Sequence, residues 1–343
     1  MKTHLRIKGK NIWLISALVL IGISLSCCWL IISSVEQPTT AVVGSTVNIK
    51  VNINNSCNSS GTAHIVFGIL APKGWNLSKN ATVTYNCTKG IGNMVLIPSS
   101  IINSHAGGLS WSGYMKSFFG LEGNLIDDME WIPYQSDAII NFNNGDKISG
   151  YITVQINNIG ADNNPTLVKL AYVVANDNNA FTFDGNDGDS SPTTEYYNEF
   201  TGPVFTLTGG TGDLVDFVNP QLTTLDPPKT LENDIVTLTY NNNVVATALG
   251  SNANNTAVYL CATGITNDGK ILTVCSPGIK TMMKQTISGS GLYQITFWPK
   301  AFFGTTANQS VVSMTYYITD QTGTVQVGYG NTTAPFTYKF KCI

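Results

Sequence analysis

Two groups of carboxylates come nearest to chemistry by type and spacing. Asp127 and Asp128 lie beside Glu130, and Asp184, Asp187 and Asp189 share one Gly-containing loop. Hydrolysis of a glycosidic bond needs two carboxyl groups about 5–9.5 Å apart across that bond. Neighbours in sequence do not fix such a separation, and solvated loop acids are the simpler reading. The loop of Asp184, Asp187 and Asp189 has the oxygen density of a calcium site. Against an EF-hand, Gly188-Asp189 falls one residue too far along and no Glu closes the loop at position 12. Calcium is thus the one cofactor with candidate ligands. His64 and His105 have no Cys or Asp partner by spacing. Gly209-Gly210-Thr211-Gly212 lacks the Lys and following helix of a phosphate loop. No Gly-x-Ser-x-Gly elbow places a nucleophile. The expectation is a non-catalytic protein.

Aromatic side chains offer a second kind of site. The C–H faces of sugars stack on exposed rings, and Tyr and Trp join a flat apolar body to a polar edge. Trp111, Tyr114, Trp131, Tyr134, Tyr196 and Tyr197 fall in two segments that read as loops, 109–137 and 176–200. They are the candidate glycan-binding residues, with core packing as the competing role for each. Neighbouring Asn and Asp would orient sugar hydroxyls. Trp75 and Trp298 flank strands and read as core or corner residues.

The elements that would position these residues read as strands. Thr46 to Ile53 and Ala81 to Tyr85 alternate polar and apolar residues, and His64 to Leu70 is apolar on both faces. Further strands are expected at 148–156, 167–174, 204–207, 235–240, 257–262, 270–275, 291–298, 311–319, 325–328 and 336–340. Turn signals separate them, Asn143-Asn144-Gly145-Asp146 among them. This pattern predicts an all-β chain of tandem β-sandwich, Ig-like domains. The expected domains are 29–218, with aromatic-rich loops inserted at about 90–137, and 219–343.

Cys261 and Cys275 flank a hairpin. A three-residue loop Asn267-Asp268-Gly269, with Gly269 in the left-handed position, pairs residues whose numbers sum to the same value as those of the two cysteines. They would then stand opposite each other at disulfide distance. Cys57 and Cys87 offer another pairing without a register argument.

The N-terminus reads as a targeting segment. Lys2, Arg6, Lys8 and Lys10 precede an apolar run that ends in Leu25-Ser26-Cys27-Cys28. Residues 1–28 resemble a lipoprotein signal and lipobox, with Cys28 the lipidated residue and Cys27 the alternative. An uncleaved single-span anchor over Ile12–Ile32 is the competing reading. Of 343 residues only 11% are charged, with a formal net charge of −3. Without the four basic residues of the leader the body is more acidic still. It has no basic cluster with which to neutralise phosphates, which argues against nucleic acid as a partner.

With these segments in place, the chain resembles a family of Bacteroidota lipoproteins encoded beside outer-membrane polysaccharide importers. The matching segments are Cys28-Trp29-Leu30-Ile31-Ile32 with Val35-Glu36-Gln37-Pro38, Phe67 to Trp75, Met129-Glu130-Trp131, and Val258-Tyr259-Leu260-Cys261. Phe297 to Gly304 is similar to a strand and loop of Ig-like modules in glycan-binding proteins of that phylum. The resemblance implies a lipid-anchored outer-membrane protein that holds a polysaccharide or oligosaccharide, in association with a transporter complex. The cell surface is the expected face. The first acid after Cys28 is Glu36, later than is common in surface-exported lipoproteins, which leaves the periplasmic face open. An adhesive or structural protein with a protein partner is the alternative, and a glycoside-active enzyme a third reading.

Overall fold

The chain is seen in a computed structural model that describes residues 28–121, 125–182, 196–250 and 257–341. It divides into two units, Met1–Val218 and Asn219–Ile343. The first contains strands β1 (Cys28–Glu36), β2 (Thr40–Val42), β3 (Val47–Cys57), β4 (Gly61–Ala63), β5 (Ile65–Pro72), β6 (Ala81–Cys87) and β7 (Gly90–Leu96). Helix α1 (Trp111–Phe119) follows, then β8 (Met129–Ser136), β9 (Ile140–Phe142), β10 (Lys147–Ile156), β11 (Thr166–Asn176), β12 (Tyr197–Thr208) and β13 (Val215–Asp216). Among the described residues of the second unit are β14 (Thr223–Asp226), β15 (Val236–Asn241), β16 (Ala257–Thr266), β17 (Ile271–Val274), β18 (Met282–Gln285) and β19 (Leu292–Phe297). Helix α2 (Pro299–Phe303), β20 (Val311–Thr319), β21 (Gln326–Val327) and β22 (Phe336–Lys339) complete it.

Each unit is built on one large curled sheet, and in the first unit β4 and β9 pair as a separate two-stranded sheet. In the first the order is β1-β3-β10-β6-β7-β8-β5-β11-β12-β2, with β13 beside β11. Alternation sets the outer strands: Val47, Ile49, Val51 and Ile53 are buried while Asn48, Lys50 and Asn52 are not. β5, flanked by β8 and β11, is buried along its whole length, as an apolar run without alternation should be. In the second unit the order is β14-β15-β19-β18-β16-β20-β21, with β17 on β16 and β22 on β20. Both units are all-β, each built around its own apolar core.

Two stretches depart from the sequence expectation. Residues 90–137 are not a loop insertion but supply β7, α1 and β8 to the first core. The apolar Trp29–Ile32 segment is not the end of a membrane span: it lies in β1, paired with β3, with Leu30 and Ile32 buried. Among the described residues no helix is long and apolar enough to cross a membrane. Cys27 and the leader before it lie outside the described residues, as does the Cys28 side chain.

The β16–β17 hairpin has the expected register. Ala262 pairs Val274 and Ile265 pairs Ile271. Gly269 has a φ of 79°, its N–H donates to Thr266 O, and Thr266 N donates to Lys270 O. Cys261 and Cys275 form a disulfide with Cα atoms 4.0 Å apart. The Cys57–Cys87 alternative is corrected: Cys57 is disulfide-bonded, whereas Cys87 is a buried free thiol.

Candidate functional site

The two aromatic segments meet, but in the interior. Ser110 caps α1 by accepting from Gly113 N at 3.2 Å, and Gly120 ends the helix with a φ of 76°. Trp111 and Met115, one helical turn apart, face the sheet and are buried. The helix approaches β5 closely because residue 68 is Gly. Ser112 Oγ donates to Trp131 O at 2.7 Å, and Trp131 Nε1 donates to Gly120 O at 3.0 Å. Phe181 is the hub of the rings. It lies 5.8 Å from Trp111, 4.8 Å from both Tyr114 and Phe119, and 5.8 Å from Tyr197. Sequence reasoning did not single out Phe181, which sits at the end of the β11 turn.

This geometry corrects most of the candidate glycan-binding rings. Trp111, Trp131, Tyr134 and Tyr196 are each at most 3% exposed. Trp111 is in a helix and Trp131 and Tyr134 are in β8 rather than in loops. A ring without an exposed face cannot stack on a sugar, so these four are core residues. Burial, with the Glu130 charge adding to it, pushes the Tyr134 hydroxyl up to about 12. Tyr114 and Tyr197 are half-buried within the same ring cluster, and of its members Phe118 is exposed.

Asp127 and Asp128 are exposed in a single turn before β8. Glu130 is half-buried, and burial raises its pKa against the opposing attraction of Lys73. The Lys73 ammonium donates to the Asp127 carbonyl oxygen. Among the described residues no group of three or more His, Cys, Asp or Glu could hold a metal. The calcium candidates Asp184, Asp187 and Asp189 lie outside the described residues.

His64, Ser136 and Asp177 converge, a constellation their sequence separation conceals. It is not a nucleophilic triad. Ser136 is fully buried and its hydroxyl donates to Ala138 O at 2.7 Å. His64 Nδ1 lies 2.8 Å from Ser136 O and 3.5 Å from the Ser136 hydroxyl, and Asp177 accepts from the His64 backbone N–H rather than from its ring. The three groups stitch β5, β8 and β11 together.

The exposed indole is elsewhere. Of the tryptophans whose side chains are described, Trp298 is 45% exposed and the others are buried; of the core or corner places expected for it, it takes the corner between β19 and α2. Along β19, Tyr293, Ile295 and Phe297 point inward while Gln294 and Thr296 point out, so Trp298 continues the outer row. Its backbone is held by β19 and by the start of α2, where Phe302 N donates to Trp298 O at 2.8 Å. Phe302 and Phe303 of α2 fill the core below. Val236 pairs Phe297, so Ile235, 67% exposed, stands across from Trp298. On the same outer face Thr237 and Thr296 share a hydrogen bond of 2.9 Å, and Gln294 Nε2 donates to Thr239 Oγ1 at 3.0 Å. The result is a row that runs from an apolar end at Trp298 to hydroxyl and amide groups about 13 Å along the strand, with Asp226 beside Thr237 on β14 and Lys284 beside Gln294 on β18.

Residues 30–221 match the family profile described as a domain of unknown function (DUF4961). Residues 223–327 match that of a second domain of unknown function (DUF8578). No curated protein matches the sequence. Among solved structures the chain is similar to AvmM, which catalyzes macrocyclization in alchivemycin A biosynthesis, at 8% identity over 55% of this chain and 90% of that one, with a TM-score of 0.27. It is similar to the C-terminal domain of the Streptococcus pyogenes antigen I/II-family protein AspA at 7% identity, covering 92% of this chain and 99% of that one, TM-score 0.23. BcpA, the major pilin subunit of Bacillus cereus, matches at 9% identity over 90% and 66% of the two chains, TM-score 0.21. At these scores the likenesses carry no argument about function.

Proposed function

Because the chain belongs to the DUF4961 family, a family defined by a domain of unknown function, its role is read from its own surface, and we propose that it is a non-catalytic, lipid-anchored envelope protein that captures a polysaccharide. The observation that carries this reading is Trp298, an indole held exposed at one end of a face lined by Thr237, Thr239, Gln294 and Thr296. A sugar ring stacks on the indole through its C–H face, and the hydroxyl and amide groups farther along the strand take hydroxyls of the sugar units that follow. On this reading the outer-membrane location and a transporter complex as partner follow from the family resemblance.

Affinity electrophoresis of the full chain in detergent, through gels containing plant, algal and host polysaccharides, tests the proposal. Retardation by one polymer, at least tenfold weaker for Trp298→Ala, is the expected result. Equal mobility in every gel with the folded protein would overturn it. A protein partner is the second reading, favoured by the exposed aliphatic residues Val95, Leu96, Ile101, Ile102 and Leu109 of the first unit.

A further inference from the structure

We infer that Cys57 is bridged to Cys28, which ties the first strand of the fold to the sheet and removes Cys28 as a lipid acceptor. Cys57 is disulfide-bonded. Cys87 is free, and Cys261 and Cys275 are bonded to each other, so none of these is its partner. The antiparallel register of β1 on β3 sets Cys28 directly opposite Cys57.

The backbone of Cys57 makes this position suitable. Its N–H donates to Asp146 O at 3.0 Å and its carbonyl accepts from Gly145 N at 2.7 Å. Both main-chain groups therefore turn away from β1, which makes 28/57 a non-hydrogen-bonded pair. Such pairs bring Cα atoms to about 4.5 Å, within disulfide range. The bridge between Cys261 and Cys275 follows the same rule. Thr266 and Lys270 are hydrogen-bonded, and the alternation five steps along makes 261/275 a non-hydrogen-bonded pair, with Cα atoms 4.0 Å apart.

Formation of the bridge takes two protons and two electrons from the two thiols. An external protein disulfide accepts them and is reduced to its dithiol. A sulfur in a disulfide cannot also carry a thioether lipid. Of the two cysteines at the end of the leader, Cys27 is then the one left for lipidation.

Peptide mapping of the full, unreduced chain tests the inference. Free thiols are alkylated in denaturant before trypsin digestion and mass spectrometry. Cys57 falls on the peptide Val51–Lys73, and Cys28 on the peptide that ends at Lys50. The expected result is that Val51–Lys73 is recovered linked to the latter, with fragment ions placing the bond at Cys28, and is released by reductant. Alkylated Cys57 in the unreduced sample, a bond placed at Cys27, or a link to the peptide holding Cys342 would each overturn it. Because this readout needs no ligand, its outcome is independent of the polysaccharide reading.

Discussion

A Cβ placed on Gly68 would lie 2.7 Å from Sδ of Met115, closer than real contacts allow. The missing side chain is what lets α1 lie on β5. Gly68→Val would overlap Met115 and also Val173, whose Cγ1 is 2.7 Å from the same point. The expected cost is about 1–3 kcal/mol of stability, read as a lower urea midpoint with a changed near-ultraviolet signal from the ring cluster. An unchanged midpoint would show that the helix can shift freely.

Trp111 and Trp298 should behave as opposites. Trp111→Ala empties a packed site against Phe181 and should destabilise the fold by about 3–5 kcal/mol. Trp298→Ala should change stability by no more than about 0.5 kcal/mol. Thermal melts of the two variants separate core from surface; comparable losses would mean that the Trp298 indole packs more closely than its exposure indicates.

The fold begins before Pro38. Removal of residues 28–36 exposes the edge of β3 and deletes Leu30 and Ile32, each 7% exposed or less. Burial of such a side chain stabilises by about 1.5–3 kcal/mol, so a chain shortened to Pro38 should melt markedly lower than one that starts at Cys28. Equal melting would show that β1 is dispensable.

Acid should loosen the second unit first at its carboxylate-capped turns. The Thr230 hydroxyl and Leu231 N–H hold the Asp234 carboxyl below its ordinary 3.8, and the Thr322 hydroxyl does the same for Asp320. A lowered folded value means that the unfolded chain takes up protons first as pH falls. The contribution is therefore complete above the ordinary value and is lost as pH drops through the folded one. Stability should be flat across neutral pH and decline below about pH 4. Asp234→Asn should flatten the acid limb; an unaltered limb would exclude that turn.

Much of the architecture was legible because alternation and turn chemistry are local. β3, β10 and β20 show their period in the sequence, and Gly269 alone fixes the register that joins Cys261 to Cys275. Residues 90–137 were opaque for equally physical reasons. β7 contains Gly90 and Gly92, β8 contains Pro133 and is buried on both faces, and α1 is nine residues with Gly113 inside it. None of these carries a strong period: β8 is specified by pairing with β5, β7 by pairing with β6 and β8, and α1 by packing over Gly68 of β5. The aromatic segments converge as their composition suggests, yet composition does not tell a ring that binds from one that packs. The signal for Trp298 was present: Tyr293, Ile295 and Phe297 set the inward phase of β19, and Trp298 falls out of phase with it.

The first unit also carries a timing constraint. Ile32 N–H is satisfied by Asn198 Oδ1, 166 residues later, and β2 pairs in parallel with β12 through Thr40 and Thr206. A chain made from its N-terminus at about 5–20 residues per second has to hold those early strands open for on the order of 10 s before their partners exist. During that interval an unsatisfied strand edge is available to other chains, and a holding chaperone would have the most to protect there.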